Sequence, residues 1–168
     1  MADTYIKYID RSIASAFTDL YIVPDYQREY VWNDVQVEQL LSDLMEAYEA
    51  DSKKAYFLGT IVTFDEGTRF ELIDGQQRLT TFFILLCAIK HIYAHNNEKA
   101  GAIEKLIYSE VMNDNGDTVS QYHLQLQYED AGNCLELIEK GESKPSNITQ
   151  SGERLFNAFN IITNSQIC

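Results

Sequence analysis

Two short stretches of this chain carry residues whose types and spacing suit an anion. One is Asp74-Gly75-Gln76-Gln77-Arg78, between the apolar run Phe70 to Ile73 and Leu79-Thr80-Thr81-Phe82-Phe83. A glycine after an aspartate permits a backbone turn that a Cβ would resist. Amides at the start of the helix expected from near Arg78 have no carbonyl partner and carry the positive end of the helix dipole. Arg78 adds a planar, permanently charged fork, and Thr80 and Thr81 add hydroxyls in the first turn. Such an assembly suits a phosphate or a carboxylate. The other stretch, Asp25-Tyr26-Gln27-Arg28, follows Tyr21-Ile22-Val23 and Pro24. Each Gln-Arg pair thus stands after a strand end and an aspartate. If the two strands are neighbours, Arg28 and Arg78 reach one site, where two guanidinium groups and helix-start amides neutralise much of a triphosphate's charge. The alternative is that each arginine pairs with a nearby acid, Glu29 or Glu71, and only holds its loop.

Asp74 has three readings. It can hold a magnesium ion, orient the attacking water of a phosphoryl transfer, or accept the amides of Gln76 or Gln77 in an Asx-turn. Gln77 can position a water or recognise a base or ribose. Tyr26, Tyr30 and Trp32 step along the first loop. Rings there stack on bases at about 1–3 kcal/mol each, or pack into the core, which is the reading favoured for Trp32. The sequence has no Gly-rich loop ending in Lys-Ser/Thr, so nucleotide hydrolysis here is not of P-loop type. His91 and His95 make half a metal site without a third ligand and read as a solvent-facing pair. Asn113 to Asp117 is oxygen-rich but lacks calcium-loop spacing and reads as a turn. No paired-carboxylate or His/Asn nuclease pattern is visible.

The elements that position these groups follow from periodicity. Ile6, Ile9, Ile13 and Phe17 have helical spacing while Tyr5 to Ile9 suits a strand equally, and the reading favoured is a helix over 10–18; Tyr21-Ile22-Val23 reads as a strand stopped by Pro24. Asn33 and Gln36 form a capping box opening a helix whose face is Val37, Leu40, Leu41, Leu44, Met45 and Tyr48. Strands are expected at Tyr56 to Phe64 and Thr68 to Ile73, joined by Asp65-Glu66-Gly67. The run after Arg78 is apolar nearly all round to Ile89, so that helix is central, and a central helix fixes where its N-terminal donors point. A helix over Ala102 to Met112, a strand over Tyr122 to Tyr128, a short helix from Asp130 to Gly141 and a last amphipathic helix through Leu155, Phe156, Phe159 and Ile162 complete the pattern.

At 168 residues with 45% hydrophobic and 23% charged residues, the chain is an ordinary globular domain. Its net charge of −13 makes non-specific DNA binding unfavourable, so DNA contact needs a local basic spot or other parts of a larger protein. Cys87, Cys134 and Cys168 have no metal-like spacing and suit reduced thiols in a cytoplasmic protein. The run Phe82 to Ile89 is too short to span a bilayer, and no membrane association is expected.

Asp74-Gly75-Gln76-Gln77-Arg78-Leu79-Thr80-Thr81 resembles the signature of the DGQQR-motif domain at the N-terminus of GmrSD-type, modification-dependent (type IV) restriction endonucleases. That domain is similar to the ParB and sulfiredoxin group of folds. Ile22 to Trp32, reading Ile-Val-Pro-Asp-Tyr-Gln-Arg-Glu-Tyr-Val-Trp, matches the family's other marker, and Phe57-Leu58-Gly59-Thr60-Ile61 sits between them. The resemblance implies an α+β fold: a small mixed sheet flanked by helices, a ParB/sulfiredoxin-like core, and additional C-terminal helices. Residues 1–140 would form the DGQQR-motif domain, and 141–168 a linker and the start of a helical region in a longer protein. It also implies a nucleotide-binding, NTP-hydrolysing module for restriction or phage defence that uses a nucleoside triphosphate and Mg²⁺ to control an HNH-type nuclease domain. In that reading Arg28 and Arg78 neutralise charge, the amides from Gly75 to Gln77 contact phosphate, and Asp74 places metal or water. Tyr26, Gln27, Gln76, Gln77, Thr80 and Thr81 would complete the nucleotide site. The alternative is a non-enzymatic DNA-modification-sensing or partner-docking module whose motif is structural. The reactive cysteine of the sulfiredoxin motif is replaced by Gln76 or Gln77, which disfavours redox chemistry.

Overall fold

The computed structural model describes residues 6–113 and 115–165. Four strands form a mixed sheet in the order β2-β3-β1-β6, with β1 (Tyr21–Val23) parallel to both β3 (Phe70–Asp74) and β6 (Leu124–Leu126). β2 (Val62–Asp65) runs antiparallel to β3 at the edge. All three residues of β1 are buried, as a central strand with neighbours on both sides requires. The hairpin between β2 and β3 closes through Glu66 N–H donating to Arg69 O at 3.0 Å, with Gly67 at φ +91°.

Helices enclose this sheet and each other. α1 (Ile13–Ala16) is one turn, shorter than the expected 10–18, because Phe17 leaves the helix to bury its ring completely in the core. α2 (Asp34–Ala50) carries the complete capping box at Asn33 and Gln36 and buries Val37, Leu40 and Leu41, while Tyr48 stays exposed. α3 (Gln76–Ile92) begins two residues before Arg78 and buries nine side chains from Leu79 to Ala88. It packs against α4 (Asn97–Ile107), α5 (Ala131–Lys140) and α6 (Gln150–Asn164). α6 also packs on α2 and α5 and adds Leu155, Phe156 and Ile162 to the same core. Among the described residues no helix is long and apolar enough to cross a membrane.

Four expectations fail for identifiable reasons. Residues 56–61 are not strand; they cross over the start of α3, as described below. The helix expected to reach Met112 stops at Ile107, and β4 (Tyr108–Met112) instead forms a two-stranded ribbon with β5 (Thr118–Tyr122). The Asn113 side chain accepts from the amides of Asn115 and Asp117 at 3.0 and 2.9 Å, so the turn chemistry overrides the last apolar residues of the helical pattern. Asp114, part of that expected turn, and Tyr5, at the start of the alternative strand over 5–9, lie outside the described residues. The strand read across Tyr122 to Tyr128 is two strands, broken at His123. The His123 N–H donates to Ile107 O at 2.9 Å, and Nδ1 lies 3.0 Å from Leu106 O. His91 is not solvent-facing: Nε2 lies 3.1 Å from Ile138 O and the ring packs edge-on against Phe159.

Several tyrosine hydroxyls are held neutral inside this fold. Burial pushes the Tyr30 hydroxyl up to about 12; the ring is 1% exposed and the oxygen lies 2.8 Å from Thr81 Oγ1. Burial, reinforced by the charge of Glu139, raises Tyr122. The folded state therefore keeps protons that the unfolded chain releases near pH 10. Stability from this source is complete below pH 10 and is lost as pH rises through the folded values. Urea unfolding should show a lower midpoint at pH 11 than at pH 8, with the drop reduced in Tyr30→Phe; equal drops in both proteins would contradict this assignment.

Candidate functional site

β1 and β3 are parallel neighbours, with Tyr21 opposite Phe70 and Ile22 opposite Glu71, so the loops that leave their C-terminal ends emerge side by side. Ligands of open sheets containing parallel strands favour such strand ends. Pro24 to Trp32 leaves β1, and Asp74-Gly75 leaves β3. Gly75 takes φ +87° as the N-cap of α3. A Cβ there would stand 2.7 Å from Ile61 Cγ2 and 3.0 Å from Thr60 O, so both conformation and space require glycine. The helix consequently starts at Gln76, and Gln76, Gln77 and Arg78 form its first three positions.

The two glutamines tie the loops together. Gln76 Nε2 donates to Arg28 O at 2.9 Å. Gln77 Nε2 donates to Glu29 O at 2.9 Å, and its Oε1 accepts from the Val31 N–H at 2.8 Å. The Tyr30 N–H donates to Tyr128 Oη at 3.1 Å, which links in the chain beyond β6. Four consecutive residues of the β1 loop are thus held through their peptides by side chains from elsewhere. Gln77 lines the cavity described below with one donor and one acceptor of its amide engaged by backbone. The pairing had one sequence signal: an amide carries a donor and an acceptor and so can satisfy a peptide at both ends.

The arginines are left free. Arg28 and Arg78 both line one open cavity of about 600 Å³ together with Gln27, Asp74, Gly75, Gln76 and Gln77. Neither forms an ion pair among the described residues. Glu71 instead accepts a hydrogen bond from Tyr26 Oη, and that ring, 71% exposed, does not line the cavity. Arg78 makes one long contact, Nη1 to Thr60 O at 3.5 Å. Gly59, at φ +106°, lies directly against its guanidinium; a Cβ there would come within 2.8 Å of Cζ. The segment expected as strand, Phe57 to Thr60, is therefore a cover whose glycine makes room for the cation. Asp74 is exposed, and its carboxylate accepts no hydrogen bond among the described residues, so the Asx-turn does not form. Among charged groups the cavity wall holds Arg28, Arg78 and Asp74, a cationic spot on a chain of net charge −13.

Thr80 and Thr81 are not brought to this cavity. They are 2% and 0% exposed, on the core side of α3, and Thr81 Oγ1 donates to Gln77 O at 2.8 Å and meets Tyr30 Oη. Trp32 is half-buried: it packs on the core and also lines the cavity. Gln76 Oε1 is buried without a partner, so its amide is satisfied at one end only. No cluster of three or more His, Cys, Asp or Glu able to hold a metal occurs among the described residues.

With that geometry in place, comparison with known proteins gives one result. A family model described as the N-terminal domain of the GmrSD restriction endonuclease matches residues 7–167. No curated protein matches the chain.

The glutamine ties carry a stability prediction. Gln77→Ala leaves the part-buried Val31 N–H without its partner and returns the exposed Glu29 C=O to water. Urea unfolding of Gln77→Ala should show a loss of about 1–3 kcal/mol, the cost of one such group left unsatisfied. Arg28→Ala, which removes an exposed and unpaired side chain, should stay within about 0.5 kcal/mol of wild type.

Proposed function

The chain belongs to the family of GmrSD restriction endonuclease N-terminal domains, and on that premise we propose that its arginine-lined cavity binds and hydrolyses a nucleoside triphosphate. This makes the domain a regulatory module of a modification-dependent restriction or phage-defence protein, acting on an HNH-type nuclease domain carried elsewhere in the protein or by a partner subunit. The observation that carries the reading is that Arg28 and Arg78, far apart in sequence, line one open cavity with no carboxylate partner. Two unpaired guanidiniums on one wall repel each other and gain from an anion placed between them. The first-turn amides of α3 add donors along the same wall.

Within this reading the residues divide their roles. Arg28 and Arg78 bind the phosphates, and Gly75 lets the backbone approach them. Gln76 and Gln77 are positioning residues: they fix the loop that carries Arg28. Asp74 is the carboxylate of the cavity wall and is free to accept a hydrogen bond from a water. That water's oxygen forms a bond to the terminal phosphorus as the bond from phosphorus to the bridging oxygen breaks, releasing inorganic phosphate and a nucleoside diphosphate. A magnesium ion fits this donor set only in the mode it commonly adopts, one carboxylate, here Asp74, with the substrate's phosphates and waters as the other ligands. When bound, it would neutralise charge that develops on the phosphate oxygens.

A second reading rests on a different observation. Gln76 and Gln77 spend their amides on the protein's own backbone, which is what a purely structural motif in a non-enzymatic sensing or docking module would show. Calorimetry with a non-hydrolysable triphosphate and Mg²⁺ separates the two. Arg28→Ala and Arg78→Ala should each weaken binding about tenfold or more, with unfolding midpoints near wild type. Asp74→Asn should retain binding and lose phosphate release. Absence of nucleotide binding by the wild-type domain would sink the enzymatic reading and leave the structural one.

A further inference from the structure

The chain between α2 and β2 passes over the start of α3 with little holding it. From Ala55 to Thr60 it has no regular secondary structure, and every residue but the half-buried Leu58 is exposed. None of these six backbone N–H groups donates to an acceptor among the described residues. The segment's one hydrogen bond among them is the long contact that Thr60 O accepts from Arg78 Nη1 at 3.5 Å. Segments with exposed amides and few apolar contacts open at low cost.

What this segment touches is specific. Gly59, at φ +106°, is seated on the Arg78 guanidinium: a Cβ there would stand 2.8 Å from Cζ and 3.2 Å from Nη2. The next residues meet the helix start, where a Cβ on Gly75 would stand 3.0 Å from Thr60 O and 3.2 Å from Ile61 Cα. The segment thus rests on two of the groups that the triphosphate reading assigns to phosphate, a cation and the first turn of α3. Leu58 and Ile61 pack partly on the core and anchor it, while Gly59 has the backbone freedom of a pivot. A guanidinium carries five N–H donors in a fixed fork, so Arg78 can hold Thr60 O and a phosphate oxygen at once. A polyphosphate brings more acceptor oxygens than two arginines satisfy. Unspent backbone donors stand in the segment next to the contact with Arg78, and runs of such donors bind anions.

We propose that residues 55–60 are a strap that closes over an anion bound at Arg78, with Gly59 as its pivot and its backbone N–H groups as added donors to the phosphate oxygens. The inference rests on the triphosphate reading of the cavity and adds a gate to it. While the strap is open, the anion enters from solvent. Once closed, the strap keeps bulk water from the phosphates and slows their release.

Hydrogen–deuterium exchange of the whole chain, read by mass spectrometry with and without inorganic tripolyphosphate and Mg²⁺, tests this, with calorimetry reporting binding in parallel. In the free protein the amides of 55–60 should exchange at nearly the rate of an unfolded chain. At saturation they should slow by about tenfold or more, while residues 143–147, another segment without helix or strand, keep their rate. Arg78→Lys keeps the charge and loses the fork; it should bind tripolyphosphate more weakly and show less slowing of 55–60 at saturation. Binding with no change at 55–60, or with equal slowing at 143–147, overturns the strap and leaves the phosphate site standing. Strong protection of 55–60 in the free protein also overturns the strap. If tripolyphosphate does not bind, the strap and the reading beneath it fall together.

Discussion

The backbone from Arg28 to Val31 has no secondary structure of its own, yet at Tyr30 and Val31 it turns into the protein beside a buried helix, where unpaired peptides are costly. Three bonds from the amides of Gln76 and Gln77, and one from Tyr128, resolve that conflict. Everything at the candidate site depends on this arrangement. It pins the loop that carries Arg28 against the helix that carries Arg78, so two cations distant in sequence share one wall. The amide side chain is the right group for the task, since one residue can donate to a carbonyl and accept from an N–H at once.

The tie holds only because the helix behind it cannot move. α3 is buried on most of its circumference, with Phe83, Ile84, Cys87 and Ala88 at 0% exposure. Full burial of large apolar side chains contributes about 1.5–3 kcal/mol each, which makes rotation of this helix expensive. Its far end is also anchored, by Lys90 paired with Glu139 and Glu104, while Tyr122 Oη donates to Glu139 at 3.0 Å. Rigidity there is transmitted to the first turn, where Thr81 bonds to both Gln77 O and Tyr30 Oη. The threonines thus serve the site from behind, as part of its support.

Charge sets what such a site can accept. With a net charge of −13, the domain as a whole repels a long polyanion, whose many phosphates sample the entire surface. A compact anion meets mainly the local field, where two guanidiniums and the helix start outweigh one aspartate. The ligand proposed for the cavity, a nucleoside triphosphate, is an anion of that compact kind.

Much was legible in the sequence because it depends on local chemistry. The capping box of α2, the strand stopped by Pro24, the glycine bend at Gly75 and the apolar core helix all follow from residue types at fixed spacing. The resemblance to the family lay in three ordered motifs that periodicity alone would not reveal, and the family model matches residues 7–167. What the sequence could not settle were partners across space: whether β1 and β3 are neighbours, and which atoms the glutamines meet. Nor could it show that Thr80 and Thr81 face the core, because on a helix apolar nearly all round the side that meets its neighbours is set by tertiary packing. Residues 56–61 had strand-like composition but took another path, since Gly59 had to pass over the Arg78 guanidinium. Local propensity thus determined the pieces, and long-range packing decided which of them meet, because a hydrogen bond of a few ångströms between residues almost fifty apart has no trace in local spacing.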